Sequence, residues 1–299
     1  MGREAMRTVS DRRTRRAIRS NTLDEHMDIL CGKYTPDSSK GLGADCLKSA
    51  IAVWYAFVPE RGSACERYAA LLSHEERQRA AAFRFPRDRA RFVYAHGLLR
   101  MLAGRLLNAP PGRLAFHRKG NGKPFLAPPH ERLFFSLSHA RDLVACAFSL
   151  RCPVGADVEC QRCGWEFLPL VRTLFHEREA HAIASAPSAA AARKTFFDVW
   201  TRKEAFLKAT GEGLSRPLDS FCALSSDGAV LEKTPEGALR PGRWRVRQCT
   251  LDAQYSMAVA YPHGDSKGFD GAFPERRTDA VPDLGVSSCP APSLWDPAA

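Results

Sequence analysis

Between about residue 50 and residue 262 the apolar and polar positions of this chain keep regular periods. "AIAVWYAFV", from Ala50, alternates as a half-buried strand does. "SHEERQRAAAFRF" carries a helical period, opened by Ser73 as N-cap with Glu76 at the capping-box position. "RDRARFVYAHGLLRMLAGRLL" follows as a long amphipathic helix. The turn signal "GNGKP" then leads to three strand-like runs, "LFFSLS", "LVACAFSL" and "PVGADVE". "LFHEREAHAIA" and "AAARKTFFDVWTRKEAFLKAT" return to the helical period, and "WRVRQCT" and "QYSMAVAY" read as a closing strand pair. Each half thus supplies strands and one long helix ending in glycine. Shifting the chain so that Gly104 meets Gly211 also lays Gly97 on Glu204, a weak internal repeat that suggests two similar lobes.

The flanks break these periods. Residues 1 to 20 hold seven arginines against Glu4 and Asp11 and have no apolar pattern. From Pro262 the chain is rich in Pro, Gly, Asp and Ser. We therefore expect a disordered basic arm over 1–48, a first lobe over 49–150, a second over 151–262 and a disordered tail over 263–299. The arm accounts for +5 of the net charge of +11, which weakens the nucleic-acid reading that a basic chain first invites. The longest apolar run, "AIAVWYAFVP", is too short for a bilayer. "RRTRRAIRS" leads into "NTLDEHMDIL" and not into an apolar segment, so no signal peptide is read and the cytoplasm is the default. Ten cysteines are scattered, and only Cys160 and Cys163 form a CxxC, with no second pair to complete a zinc site.

Candidate chemistry begins in "VWTRKEAFLKATGEGL". Wound as a helix, Phe196, Val199, Trp200, Phe206 and Leu207 occupy one arc of about 120°, the face that meets a core. Glu204 and Lys208 sit at its edge and Lys203 inside it. An i,i+4 ion pair plus a lysine stretching its stem to water is one reading. Charges that need partners from elsewhere are the other. Those partners have candidates: the strand period puts Asp157 and Glu159 of "VGADVE" on one face, where two carboxylates need a cation or a proton. Magnesium is the natural cation, since it takes hard oxygen ligands and leaves room for phosphate. Gly155, just ahead, makes space for a ligand or another backbone. Basic and polar residues form a second set: Arg79, Arg84 and Arg91 on the first-lobe helices, Lys123 on the glycine-rich turn, and Ser138 and His139 at a strand end. Together they could hold several phosphates.

"GNGKPF", "FFSLSHA", "VGADVE" and "WTRKEAFLKATGEGL" occur in the order and approximate spacing of the 4′-phosphopantetheinyl transferases of the surfactin-synthetase type. The chain resembles that family from about Ala50 to Tyr261, including "LSHEERQRAAAFRFPRDRARF". Glu76 departs from the pattern, standing where some relatives have a phosphate-binding lysine.

The resemblance implies an α+β fold of two pseudo-equivalent lobes, each a small, mainly antiparallel sheet packed on a long helix. It implies transfer of phosphopantetheine from coenzyme A to a serine of an acidic apo acyl or peptidyl carrier protein, in a monomer without membrane or specific nucleic-acid partners. On this resemblance Asp157, Glu159 and Glu204 hold Mg2+, Glu204 takes the serine proton, and Lys208 neutralises charge on the departing phosphate. Arg79, Arg91 and Lys123, with Ser138 and His139, grip the nucleotide, and Lys203 adjoins the phosphate site. A nucleic-acid-binding protein would leave the carboxylates unexplained, and a catalytically silent carrier adaptor would have lost metal ligands that are all present here.

Overall fold

A computed structural model describes residues 16–17, 27–34, 47–59, 64–118, 122–162, 167–234 and 238–263, all within one compact unit, Met1–Ser266. In chain order, β1 (Arg16–Ala17), β2 (Asp28–Lys33) and β3 (Ala50–Phe57) precede α1 (Ala64–Ala69), α2 (His74–Ala81) and α3 (Pro86–Leu107). Two hairpins follow, β4 (Phe116–Arg118) with β5 (Pro124–Leu126), and β6 (Phe134–Ala140) with β7 (Leu143–Ser149). The second half runs β8 (Gly155–Cys160), α4 (Leu168–Leu174), α5 (Glu177–Ala184) and α6 (Ala189–Thr210). It closes with β9 (Phe221–Cys222), β10 (Ala229–Lys233), β11 (Leu239–Cys249) and β12 (Tyr255–Pro262).

The strands form two five-stranded sheets, ordered β1-β2-β3-β7-β6 and β8-β12-β11-β10-β9, antiparallel throughout except for β2 beside β3. In the first lobe α3 lays Leu98, Leu99 and Leu102 against Trp54, Cys146 and Phe148. In the second, α6 lays Phe196, Val199 and Phe206 against Val246, Ala258 and Ala260. A third apolar layer joins the lobes, with Ile51 and Val53 of β3 meeting Met257 and Val259 of β12. The expected α+β fold of two lobes, each a mainly antiparallel sheet on a long helix, is the fold observed.

Two local devices position the site. Where β6 runs beside β8, serine hydroxyls satisfy the amides of the β8 edge: Ser136 Oγ accepts from Ala156 N at 2.9 Å and Ser138 Oγ from Val158 N at 3.3 Å. Gly155 lets α6 cross the start of β8, because a Cβ there would stand 2.0 Å from Ala205 O and 2.4 Å from Ala209 N. The space expected at Gly155 is thus taken by another backbone, which sets Glu204 and Lys208 over the acids of β8.

Ser73 caps α2 as expected, its Oγ accepting from Glu76 N at 3.1 Å while Glu76 Oε2 accepts from Ser73 N at 2.8 Å. The internal repeat needs a new register. Both long helices end in a left-handed residue, Asn108 (φ 50°) and Gly211 (φ 77°), so these two correspond, and Gly104 lies one turn inside α3. The expected disordered arm over 1–48 also needs correction. Its Asp28–Lys33 run forms β2 on the first sheet, and Ile29, Tyr34 and Leu47 are buried. The apolar run "DILC" is short and follows an arginine-rich stretch, so composition alone gives it little strand signal. The rest of that arm, apart from β1, Met27 and residues 47–48, and the tail beyond His263 lie outside the described residues.

Candidate active site

Strand period and helix period converge where α6 crosses β8. Asp157 is buried at 4% exposure, and its Oδ1 accepts from Lys208 Nζ at 2.7 Å and from Ser138 Oγ at 2.9 Å. Lys208 Nζ also donates to Ser138 Oγ at 2.9 Å. Glu159 and Glu204 are half-buried in the same field. Burial first, then the Asp157 charge, pushes Glu159 up to about 8, while Lys208 and the Trp200 indole work the other way. Burial and Asp157 likewise raise Glu204 to about 7. Crowding by protein disfavours the Lys208 ammonium, but Asp157, Glu204 and Glu159 outweigh it, and its pKa is raised. The cluster thus holds three acids and one cation, so ionising all three acids would leave it short of positive charge.

Among the described residues no group of three His, Cys, Asp or Glu side chains is closed up as a ligand set for a metal ion. The chemistry of the cluster nevertheless fits a hard divalent cation. Asp157 Oδ2 is buried and accepts no hydrogen bond among the described residues, leaving a carboxyl oxygen with no donor. Burial and the neighbouring acid raise Glu159 and Glu204, a field that positive charge placed among them would relieve.

These shifts have a consequence for stability. Both folded-state values lie above the ordinary carboxylate value of 4.5, so folding takes up protons between about pH 4.5 and 8. The stabilisation is complete below about 4.5 and is lost as pH rises through 7 and 8. The metal-free protein is therefore expected to melt several degrees lower at pH 9 than at pH 6, with Glu159→Gln flattening the trend. A Tm that rises over that interval, as scanning calorimetry would read it, contradicts this electrostatic description.

Glu204 and Lys208 open into a cavity of about 810 Å³ whose opposite walls carry Arg79, Arg100, His117, Arg118 and Lys123. That volume suits a drug-sized or nucleotide-sized ligand. Lys123, on the β4–β5 turn, crosses to the other lobe and donates from Nζ to Ala209 O at 2.6 Å. Arg79 stacks over Phe92, 5.3 Å from the ring centroid. Burial, and then the like charge of Arg118, lowers the Arg79 pKa. Two neighbouring guanidinium groups in a cavity wall make a place for an anion. Arg118 and His117 were not anticipated. Their signal was present, since "FHR" runs as a strand into the glycine turn that carries Lys123.

The remaining expected contacts divide. Among the described residues lining the cavity, Arg91, Ser138 and His139 do not appear. Arg91 donates to Asp88 Oδ1 at 2.9 Å and lies near His139, whose pKa is held below the usual imidazole value by crowding and then by the Arg91 and Lys208 charges. Ser138 is buried, with its hydroxyl engaged by Asp157, Lys208 and Val158 N, which makes it an organiser of the acid cluster. Glu76 lines the cavity yet is bound to the protein: Arg100 Nε donates to it at 2.7 Å and His96 Nδ1 lies 3.2 Å away. Burial alone would raise its pKa, but His96, Arg100 and Ser73 N hold it down to about 2. His96 was missed, although Phe92, His96 and Arg100 repeat every fourth residue on α3.

Lys203 is the clear departure. It was expected beside the phosphate site, and instead it is wholly buried on the far side of α6. Its Nζ meets Glu179 Oε2, Leu218 O and Phe221 O, each at 2.7 Å, and lies 4.1 Å from the Phe221 ring centroid. The apolar arc that carries it faces the second-lobe core, and a carboxylate on α5 supplies the partner.

Comparison with known proteins agrees with this geometry. Residues 153–260 match the model of the 4′-phosphopantetheinyl transferase superfamily, and residues 59–151 match that of the 4′-phosphopantetheinyl transferase N-terminal domain. The 4′-phosphopantetheinyl transferase HetI of Nostoc sp. is 34% identical over 217 residues, spanning 72% of this chain and 88% of the relative. The 4′-phosphopantetheinyl transferase Sfp of Bacillus subtilis is 29% identical over 67% of this chain and 86% of its own length. The human L-aminoadipate-semialdehyde dehydrogenase-phosphopantetheinyl transferase is 27% identical over 75% and 82%. A cleft between two lobes, acidic where α6 crosses β8 and basic on its far wall, and family matches that meet at the junction of those lobes, lead to one assignment: this chain belongs to the 4′-phosphopantetheinyl transferase superfamily.

Proposed function

We propose that the chain transfers the 4′-phosphopantetheine group of coenzyme A to a serine of an apo carrier protein. The serine oxygen forms a bond to the phosphorus nearest the pantetheine, the pyrophosphate bridge breaks there, and adenosine 3′,5′-bisphosphate leaves. The observation that carries this reading is the cavity itself, which joins Glu204 and Lys208 to a wall of arginine and lysine. Glu204 faces the cavity, where its carboxylate can take the serine proton. Lys208 stabilises the charge that appears on the bisphosphate as it departs. Asp157, Glu159 and Glu204 would hold Mg2+, and the unpartnered Asp157 Oδ2 supports that reading. When bound, Mg2+ supplies the positive charge that offsets the pyrophosphate oxygens.

Arg79, Lys123 and Arg118, which line the cavity, take the nucleotide phosphates. Acidic carriers suit the positive balance of the chain, whose opposite charge speeds encounter. The two lobes supply within one monomer the two halves of the cleft. No helix among the described residues is long and apolar enough to cross a membrane. The reducing cytoplasm, where the free thiols of this chain persist, is the compartment this reading assigns.

The test is to incubate the protein with coenzyme A, Mg2+ and apo carrier proteins, and to read intact masses. A gain equal to one phosphopantetheine, absent when the carrier serine is replaced by alanine, supports the reading. An unchanged mass on every apo carrier of the acyl and peptidyl classes refutes it. Arg79→Ala and Lys123→Ala are each expected to raise KM for coenzyme A about tenfold or more while lowering kcat less, because they contact the nucleotide in ground and transition states alike. A selective loss of kcat in initial-rate kinetics would move them to the reacting phosphate.

A further inference from the structure

The α2–α3 side of the cavity holds an imidazole that the transfer chemistry leaves without a role. His96 lines the cavity, and its ring stacks on Phe92 with centroids 4.1 Å apart. Arg79, from α2, lies over the same Phe92 ring and lines the same cavity. One ring nitrogen of His96 is engaged, since Nδ1 stands 3.2 Å from Glu76 Oε1. Burial would raise the Glu76 pKa, but His96, Arg100 and Ser73 N hold it down to about 2, so Glu76 is an anion at neutral pH. A carboxylate only accepts, so Nδ1 is the nitrogen that carries the proton. The His96 side chain is 20% exposed, and its Nε2 makes no hydrogen bond among the described residues. Nε2 is therefore the nitrogen that this ring offers to a ligand in the cavity.

We propose that His96, as the imidazolium, donates from Nε2 to the 3′-phosphate of coenzyme A, beside Arg79. This assignment deepens the transfer reading and rests on it. The reacting pyrophosphate belongs with Glu204 and Lys208 on α6, so the phosphate that meets the α2–α3 wall is the monoester at the 3′ position. A neutral ring with its proton on Nδ1 turns a lone pair toward a phosphate oxygen, whereas the imidazolium donates from both nitrogens. Glu76 stabilises that cation from one side, and a bound phosphate stabilises it from the other. The charged and titratable groups around His96 are Glu76 and Arg79 of α2, Arg100 of its own helix, and His139 of β6 with Arg91 beside it. Guanidinium groups keep their charge at neutral pH, and crowding, then the Arg91 and Lys208 charges, keeps His139 neutral above about pH 4. None of these neighbours competes with His96 for a proton. Binding of the phosphate therefore draws a proton onto His96 and weakens as pH rises.

The experiment is isothermal titration calorimetry of the full-length wild type and His96→Gln with coenzyme A and with 3′-dephospho-coenzyme A, at pH 6 and pH 8. Glutamine keeps a hydrogen-bonding side chain beside Glu76 but takes no proton. His96→Gln is expected to bind coenzyme A about tenfold more weakly at pH 6, the loss of one charge-assisted hydrogen bond. The gap is expected to close by pH 8, and 3′-dephospho-coenzyme A to bind both proteins equally at either pH. Glu159 and Glu204 also lose protons over this interval, but they do so in both proteins, so the difference between the two isolates His96. In initial rates the variant is expected to raise KM for coenzyme A more than it lowers kcat. Equal weakening for both ligands, a gap that persists unchanged at pH 8, or wild-type affinity of the variant for coenzyme A at pH 6 overturns the role of His96 and leaves the transfer reading standing. A wild type that binds neither ligand overturns both.

Discussion

Glu204→Gln is expected to lower transfer to a carrier by about 10²- to 10⁴-fold, the range lost when a positioned general base is removed. Over the same pH range the variant is expected to fold and to melt no lower than the wild type above pH 7. Both expectations follow from one arrangement. Glu204 faces the cavity, and burial and the Asp157 charge raise its pKa, so its ionised form is a strained component of the metal-free fold. A neutral amide of the same shape removes that repulsion and also removes the base. Asp157→Asn is expected to lower transfer comparably while loosening Lys208, whose 2.7 Å partner keeps an acceptor oxygen but loses its charge. Rates and melts on the same preparations decide the matter. A Glu204→Gln enzyme that turns over within a few-fold of wild type would remove Glu204 from the chemistry.

Lys203→Met is expected to be the most destabilising of the single changes considered, by about 3–5 kcal/mol, because it strands a buried carboxylate. For a domain of this size that corresponds to a fall in Tm on the order of 10 °C. Lys203 and Glu179 are both 0% exposed and 2.7 Å apart. Glu179 also accepts from Ala223 N at 2.7 Å and His176 N at 3.1 Å, so the pair ties α5, α6 and the segment after α6 together. Burial disfavours both charges, raising the pKa of Glu179 and lowering that of Lys203. Adding Glu179→Gln to Lys203→Met should therefore recover part of the loss, since the stranded charge is gone. Chemical denaturation of the two single variants and the double variant gives the coupling. A Lys203→Met protein as stable as wild type but unable to bind coenzyme A would return Lys203 to the phosphate site.

That contrast marks where sequence reading stops. "VGADVE" and "TRKEAFLK" were legible because a period of two and a period of 3.6 each place their acids on one face. Gly155 also signalled a close approach, which proved to be that of α6. What periodicity cannot give is the identity of a partner from a distant segment. The helix period put Lys203 inside the core-facing arc and Glu204 at its edge, but it could not show that Glu179 on α5 is the partner that lets Lys203 stay buried there. Ser138 was expected at the nucleotide because it ends a strand, but the junction of β6 with β8 turns its hydroxyl to Asp157. Composition also misled. The arginines of the first twenty residues hid the short apolar run of β2, whose parallel pairing with β3 has no local signature.

The claim on which the account rests is that Asp157, Glu159 and Glu204 form a cation site next to the coenzyme A cleft, and binding of Mn2+ in place of Mg2+ tests it most directly. Mn2+ is titrated into the protein with coenzyme A present and free Mn2+ is read by electron paramagnetic resonance. One tight site per chain is expected at pH 8, weaker at pH 6 where protons compete for Glu159 and Glu204, and lost in Asp157→Asn, Glu159→Gln and Glu204→Gln. Equal binding by the wild type and all three variants, or affinity that does not change between pH 6 and pH 8, would contradict it.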